Sequence, residues 1–314
     1  MQIFSARRAL TIFSQTLPAI GLLFLGLAAT VGGCAGRSPS LTVKDSQSTY
    51  AAETIVDMET GMPTGFDSLI HNLSRTDVVF LGEQHTDKRH HEIQLQILKA
   101  LWEKDPSITV GMEMFSREYQ PVLDLWSDGQ LEQSTFLEKV QWYANWRFPY
   151  HHYSEILAFV RDKHIPVVAL NLPAHIPARI ATGGMDNLLA GDRRKLPADI
   201  DLTNEPHREY VRDIFEKHHI PGRSNFEYFY QAQCVWEDIM AQSISENLNG
   251  RRMVVLLGNG HIVHKFGVPQ RTFKRTNRPF ATIYPASVGT VVEKSVADYV
   301  WVTPPRREHP QRHP

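Results

Sequence analysis

Two tetrapeptides in this 314-residue chain share one pattern. Gly82-Glu83-Gln84-His85 closes the apolar run "DVVFLG", and Gly258-Asn259-Gly260-His261 closes "MVVLLG". A third run, "ITVGMEMF", delivers Glu113, and a fourth, "IPVVALN", ends on Asn171. Each piece alone is common. Together they place two imidazoles and two carboxylates at the ends of apolar segments, and in an extended chain Glu83 and His85, two residues apart, point to the same side. Such a set suits a catalytic divalent metal that keeps one position for water. It suits equally a hydrogen-bonded acid–base cluster around a bound ligand.

A second group lies in "QWYANWRFPYHHY", residues 141–153. One reading is core packing, the usual fate of aromatic residues. The other is a wall over a flat apolar ligand, with Trp146 as a stacking face, Tyr150, Tyr153 or His151 as an iron ligand and Arg147 as a propionate partner. The further histidines, His90-His91, His218-His219 and His264, are expected mostly as exposed polar residues.

These residues need elements to position them. Short β-branched runs alternate with helical patterns: a helix over about 87–104, another over 153–164 and a long one over 225–249. Continuous apolar strands separated by helices predict an α/β fold, a mostly parallel sheet with helices on both faces. Extra edge strands are expected at the C-terminus. In such sheets ligands bind outside the carboxyl ends of the strands, where the two Gly-x-x-His motifs fall.

Outside this unit the chain changes character. Arg7 and Arg8 precede the apolar stretch Leu17–Val31, which is short for a membrane span, and then comes "VGGC". This is the layout of a lipoprotein signal peptide over 1–33, with Cys34 acylated into the bilayer. No aspartate follows the cysteine, which predicts an outer-membrane address in a bacterial envelope. Residues 34–65, rich in Ser, Thr and Gly, are expected as a flexible tether, 66–303 as the folded domain and 304–314 as a disordered tail. Cys34 and Cys234 are the only cysteines, so no disulfide framework is expected and Cys234 reads as a core residue. A formal net charge of −1 and the absence of a basic stripe set nucleic acid aside as a partner.

The stretches "VVFLGEQHTDKRHHEIQLQILKAL", "GMEMFSREYQPVLDLWSDG", "WYANWRFPYHHY", "VVALNLP", "YQAQCVWEDIMAQSI" and "VVLLGNGHIVHKFGVPQR" resemble, in order and spacing, ChaN-like proteins. These are haem-binding uptake lipoproteins of the Tiki/TraB/erythromycin-esterase-like superfamily. The resemblance implies an envelope-tethered domain that binds haem for iron or haem uptake, and a homodimer that shares haem across its interface. For the wider superfamily it implies a metal-dependent hydrolase, peptidase- or esterase-like. His85, His261 and Glu113 would then hold Zn, Mn or Co, and Glu83 would act as the general base. Thr86 stands where relatives often carry an acidic or amide residue, with Asp87 next to it.

Overall fold

Alternation within each strand decides how the sheet is covered. In "VVFL", Val79 and Leu81 enter one hydrophobic cluster and Val78 and Phe80 enter another; Val254 and Leu256 part in the same way from Met253, Val255 and Leu257. A strand buried on both faces in this period-two fashion belongs inside a sheet with two helical layers. The computed structural model describes residues 39–217 and 224–305, and it has this architecture.

The strands are β1 (Leu41–Val43), β2 (Ser48–Tyr50), β3 (Ile55–Asp57), β4 (Met62–Thr64), β5 (Val78–Glu83), β6 (Thr109–Ser116), β7 (Val167–Asn171), β8 (Met253–Gly258), β9 (Phe280–Ser287), β10 (Val291–Val292) and β11 (Tyr299–Thr303). Eight form one sheet in the order β4-β3-β11-β9-β5-β8-β6-β7. From β11 to β7 every pairing is parallel, while β3 and β4 add an antiparallel edge. Helices Lys88–Lys104, Gln120–Ser127 and Ser154–Asp162 cover one face, and His175–Gly183 and Phe226–Asn247 cover the other. Asp87 and Asn225 start two of these helices, their side-chain oxygens accepting hydrogen bonds from the first free backbone N–H groups.

The tether expected over 34–65 requires correction from residue 41 onward. Leu41, Val43, Ile55, Val56 and Met58 are buried; β1 and β2 join β10 in a small second sheet, and β3 and β4 extend the main one. Strands of three residues are too short to print a period on a Ser/Thr-rich sequence. Among the C-terminal strands, β11 lengthens the parallel array and β10 belongs to the small sheet. The signal peptide, Cys34, the His218-His219 pair and most of the C-terminal tail lie outside the described residues.

Candidate functional site

β5 and β8 are neighbours, with Glu83 opposite Gly258 in the register, so the two Gly-x-x-His motifs meet side by side. Each glycine makes room for the other motif. A Cβ on Gly82 would collide with Asn259 Oδ1, and one on Gly258 would stand 3.1 Å from His85 Cε1. Close approach therefore requires the glycine at 82, and a side chain at 258 would press on the His85 ring.

Glu83 closes β5 at 1% exposure and is ringed by donors. Its Oε1 lies 2.6 Å from His85 Nδ1 and accepts from the Tyr153 hydroxyl at 2.6 Å. Its Oε2 accepts from Gln94 Nε2 at 3.0 Å, and His91 Nε2 lies 3.3 Å away. Burial alone would raise this carboxyl's pKa; the hydrogen bonds and charges of His85 and His91 outweigh it and hold the group well below the usual range. On His85, burial is likewise outweighed, by Glu83 and Glu113, and its pKa rises. The same burial and the adjacent carboxylate push the Tyr153 phenol far up, so it stays protonated as a donor. The histidine pair expected at the surface is inside: His90 and His91 are buried, and His90 Nδ1 accepts the Gln84 N–H at 2.9 Å, fixing the loop that carries His85.

Glu113 reaches the same rim from β6 through a bulge. The β6–β7 register shifts between Met112 and Ser116, and Asn171 Nδ2 donates to the Glu113 carbonyl at 3.0 Å, pinning the irregularity. The Glu113 carboxylate accepts the Gly258 N–H at 2.7 Å and faces His261 Nε2 at 3.5 Å. Behind His261, Nδ1 meets Gln233 Nε2 at 3.2 Å and Glu237 Oε1 at 3.4 Å. Glu237 in turn faces His207 at 3.2 Å and Arg271 at 3.3 Å, and Arg271 pairs with Asp238. Burial works against the His261 cation, but Glu113 and Glu237 raise its pKa to about 10. The pKa of Glu237 is lowered despite its burial, chiefly by His207.

The residues singled out as catalytic, Glu83, His85, Glu113 and His261, thus converge. They do so as carboxylate–imidazole pairs facing each other, and among the described residues no group of three or more His, Cys, Asp or Glu is placed to hold a metal ion. The ligand set expected for Zn, Mn or Co, His85, His261 and Glu113, does not form such a group among these residues. His85 Nδ1 is held by Glu83, and Glu113 and His261 Nε2 face one another.

The aromatic segment divides in two. Trp142, Tyr150 and Tyr153 are buried; Trp142 packs edge-on against Tyr150 and donates from Nε1 to the Phe148 carbonyl. Burial pushes the Tyr150 phenol up to about 12. Trp146, also buried, meets the His85 ring edge-on and Phe148 lies tilted against it, with ring centroids 4.9 and 4.7 Å away. Arg147 and His151 are exposed. Of the ten tyrosines, Tyr143 alone is exposed among the described residues, at 69%. Beside Glu113 a cleft of about 370 Å³ opens between Trp146–Phe148 and helices His175–Gly183 and Phe226–Asn247.

Sequence reasoning missed the support of His261. Glu237 and Asp238 are acids in an otherwise apolar "CVWEDIMA" run, and Gln233 lies four residues before Glu237 on the same helix face. Buried acids in an apolar helix were the available sign.

Comparison with known proteins agrees with this architecture. Residues 69–272 match the family described as haem-binding uptake, Tiki superfamily, ChaN. The solved structure of ChaN of Campylobacter jejuni with cofacially bound haem superposes with a TM-score of 0.64 at 20% identity, covering 79% of this chain and 95% of that one. Weaker similarities reach a mutant of the erythromycin esterase EreC in its open conformation (TM-score 0.45, 11% identity, 75% of this chain and 76% of that one) and the type III effector HopBA1 (0.42, 15%, 76% and 92%). No protein of curated function matches the sequence. With two thirds of its length matched and the same sheet carrying both Gly-x-x-His motifs, the chain belongs to the ChaN family of haem-binding uptake proteins in the Tiki superfamily.

Proposed function

We propose that this protein binds haem at the outward face of the 142–151 segment and carries it at a bacterial envelope, held there by lipid on Cys34. The observation that carries the reading, beside the family, is Tyr143. It is the exposed phenol on the segment, it has no hydrogen-bond partner among the described residues, and His151 is exposed eight residues on. Haem supplies a ferric iron that accepts a phenolate ligand. Tyr143 would hold it, with His151 as the neighbouring imidazole. Tyr150 and Tyr153 are poorly suited: both are buried, and the Tyr153 hydroxyl is engaged by Glu83.

The test is a haemin titration followed by visible absorbance, with molecular mass measured in the same samples. Wild type should show a saturable Soret shift, Tyr143→Phe should lose or move it, and Tyr150→Phe should retain it. A doubling of mass on loading would support the shared-haem dimer. An unchanged spectrum in Tyr143→Phe would remove that residue from the reading, and absence of any shift in wild type would overturn haem binding.

A second reading, hydrolysis, is favoured by one arrangement. Glu83 fixes one nitrogen of His85 at 2.6 Å, while the His85 side chain keeps 26% of its surface. A carboxylate-held imidazole is a general-base arrangement, whereas Glu83 itself, sealed among four partners, cannot reach a substrate's water. In this reading the general base is His85, expected as a metal ligand, and Glu83, expected as the base, orients it. Turnover of a p-nitrophenyl ester that vanishes in His85→Ala would support it, and equal turnover in both proteins would dismiss it.

A further inference from the structure

The chain enters and leaves the folded unit at one rim of the sheet. β9 and β11 run parallel to β5 and β8, so the carboxyl ends of all four lie on the same side. Asn259 Nδ2 donates to the Pro285 carbonyl at 3.0 Å, which ties the second Gly-x-x-His motif to the end of β9. Two residues further on, Ser287 stands opposite Thr303, the last residue of β11. From the turn that follows, the Gly289 N–H donates to the Ser40 carbonyl at 3.0 Å, and the Thr42 N–H donates to the Thr290 carbonyl at 3.0 Å. Ser40, where the chain comes in, and Thr303, where it goes out, therefore sit on the side of the sheet that carries Glu83, His85 and His261.

Reach then decides orientation. With lipid on Cys34, seven residue steps separate the anchor from Leu41, about 25 Å at full extension. The eight residues of β9 alone measure about 26 Å. Bringing the opposite end of the strands to the lipid would use the entire reach along the side of the sheet, whereas the carboxyl rim is reached without full extension. The surface at the point of entry suits head groups. Val291, the first residue of β10, is 62% exposed, and Gly289, Thr290, Pro304 and Pro305 are exposed around it. Arg37 precedes the entry, and residues 304–314 carry three arginines against one glutamate. Glu53, whose N–H donates to the Val302 carbonyl beside the exit, is paired with Arg89. An exposed apolar side chain flanked by cations is the composition of a surface that rests on anionic lipid.

We propose that the carboxyl rim is the membrane-facing surface of this protein. The domain rests on anionic phospholipid at the edge formed by Ser40, residues 289–291 and residues 304–305, which puts His85 and His261 on the bilayer side. This rests on the lipid anchor of the proposed function and adds a direction to it.

Nitroxide quenching on the full-length lipoprotein tests the orientation. Cys234 is 0% exposed, so a single added cysteine takes the label. Val291→Cys and Thr290→Cys place an NBD fluorophore at the entry edge. Glu103→Cys, exposed at the far end of helix Lys88–Lys104, places it at the opposite rim. Each protein is reconstituted into phosphatidylethanolamine–phosphatidylglycerol vesicles that carry a head-group nitroxide. Quenching should be several-fold stronger at 290 and 291 than at 103, and Arg306→Glu combined with Arg307→Glu should narrow that difference. An unchanged difference in the double variant would remove anionic head groups as the surface the rim rests on. Mass spectrometry of the Cys34 peptide separates the two readings. Lipid on Cys34 with equal quenching at both ends, or with stronger quenching at 103, overturns the orientation and leaves the anchor standing. Cys34 without lipid removes the anchor and the orientation with it.

Discussion

Glu83 and Glu113 stand at the same depth, each 1% exposed, at the ends of strands flanking β8. Their surroundings differ. Glu83 has a donor or imidazole on every side, from Tyr153, Gln94, His85 and His91, and is closed off by helix Lys88–Lys104 and the aromatic segment. Glu113 has one backbone N–H and one imidazole, and its other side borders the cleft. Of two carboxylates at one rim, one is thus a structural hub that aims His85, and the other, with fewer partners, borders the cleft. The difference follows from helix placement. Helix Lys88–Lys104 supplies Gln94 and His91 back to Glu83 and encloses it, whereas the cleft borders Glu113.

The sharpest way to break this comparison is to remove each carboxylate. Glu83→Ala strips four partners at once and leaves His85 without its counter-charge and His91 Nε2 without its neighbouring carboxylate. Breaking a buried pair of this kind costs about 3–5 kcal/mol. Glu113→Ala removes fewer partners and leaves space that the cleft can hydrate, so a loss of about 1–3 kcal/mol is expected. Urea denaturation of the two variants measures both. Equal losses would show that Glu83 is no more of a hub than Glu113.

A smaller effect comes from the close approach of the two motifs. Gly82→Ala drives a methyl into Asn259 Oδ1 and to 2.6 Å from Ile262 Cδ1, so the loop after β8 must move. Overpacking of this order costs about 1–3 kcal/mol. Gly258→Ala meets only the His85 ring edge at 3.1 Å and should cost less, yet it should displace the imidazole whose ring protons report by NMR. A Gly82→Ala protein as stable as wild type would show that close approach to the second motif does not require a glycine at 82.

The same residues show what a sequence displays and what it hides. The parallel sheet was legible because β5, β6, β7 and β8 are long apolar runs, and the converging site was legible because strand ends of such a sheet share one rim. The second layer was not. Glu237 and His207 come from helices far along the chain, and nothing local in "QAQCVWEDIM" states that its acids turn inward toward His261. Tyr143 could not be told from Tyr150 and Tyr153 either. All three sit in one aromatic cluster, and only packing decides that two face the core and one faces solvent. The strands at 41–64 were hidden by their brevity.

The pH dependence of stability gives the smallest of these effects and separates the two halves of the rim. His261 titrates near 6.5 when unfolded and about 10 when folded between Glu113 and Glu237. A raised pKa means the folded state holds a proton that the unfolded state releases. Its stabilisation is therefore complete below about pH 6.5 and is lost as pH climbs from there through about 10. Glu83, Glu113 and Glu237 have the opposite sign: their pKa values are lowered, so their contribution is present above the ordinary carboxylate value of 4.5 and fades as pH falls. Melting temperature should accordingly be highest between about pH 5 and 6.5 and decline on both sides. His261→Gln keeps an amide near Glu113 and Glu237 while removing the titration, and it should flatten much of the alkaline decline. His85, also raised, faces Glu83 and Glu113 and should account for a remaining slope, which His85→Gln would remove in turn. If the alkaline limb is as steep in His261→Gln as in wild type, the charge on this side of the rim does not reside on His261.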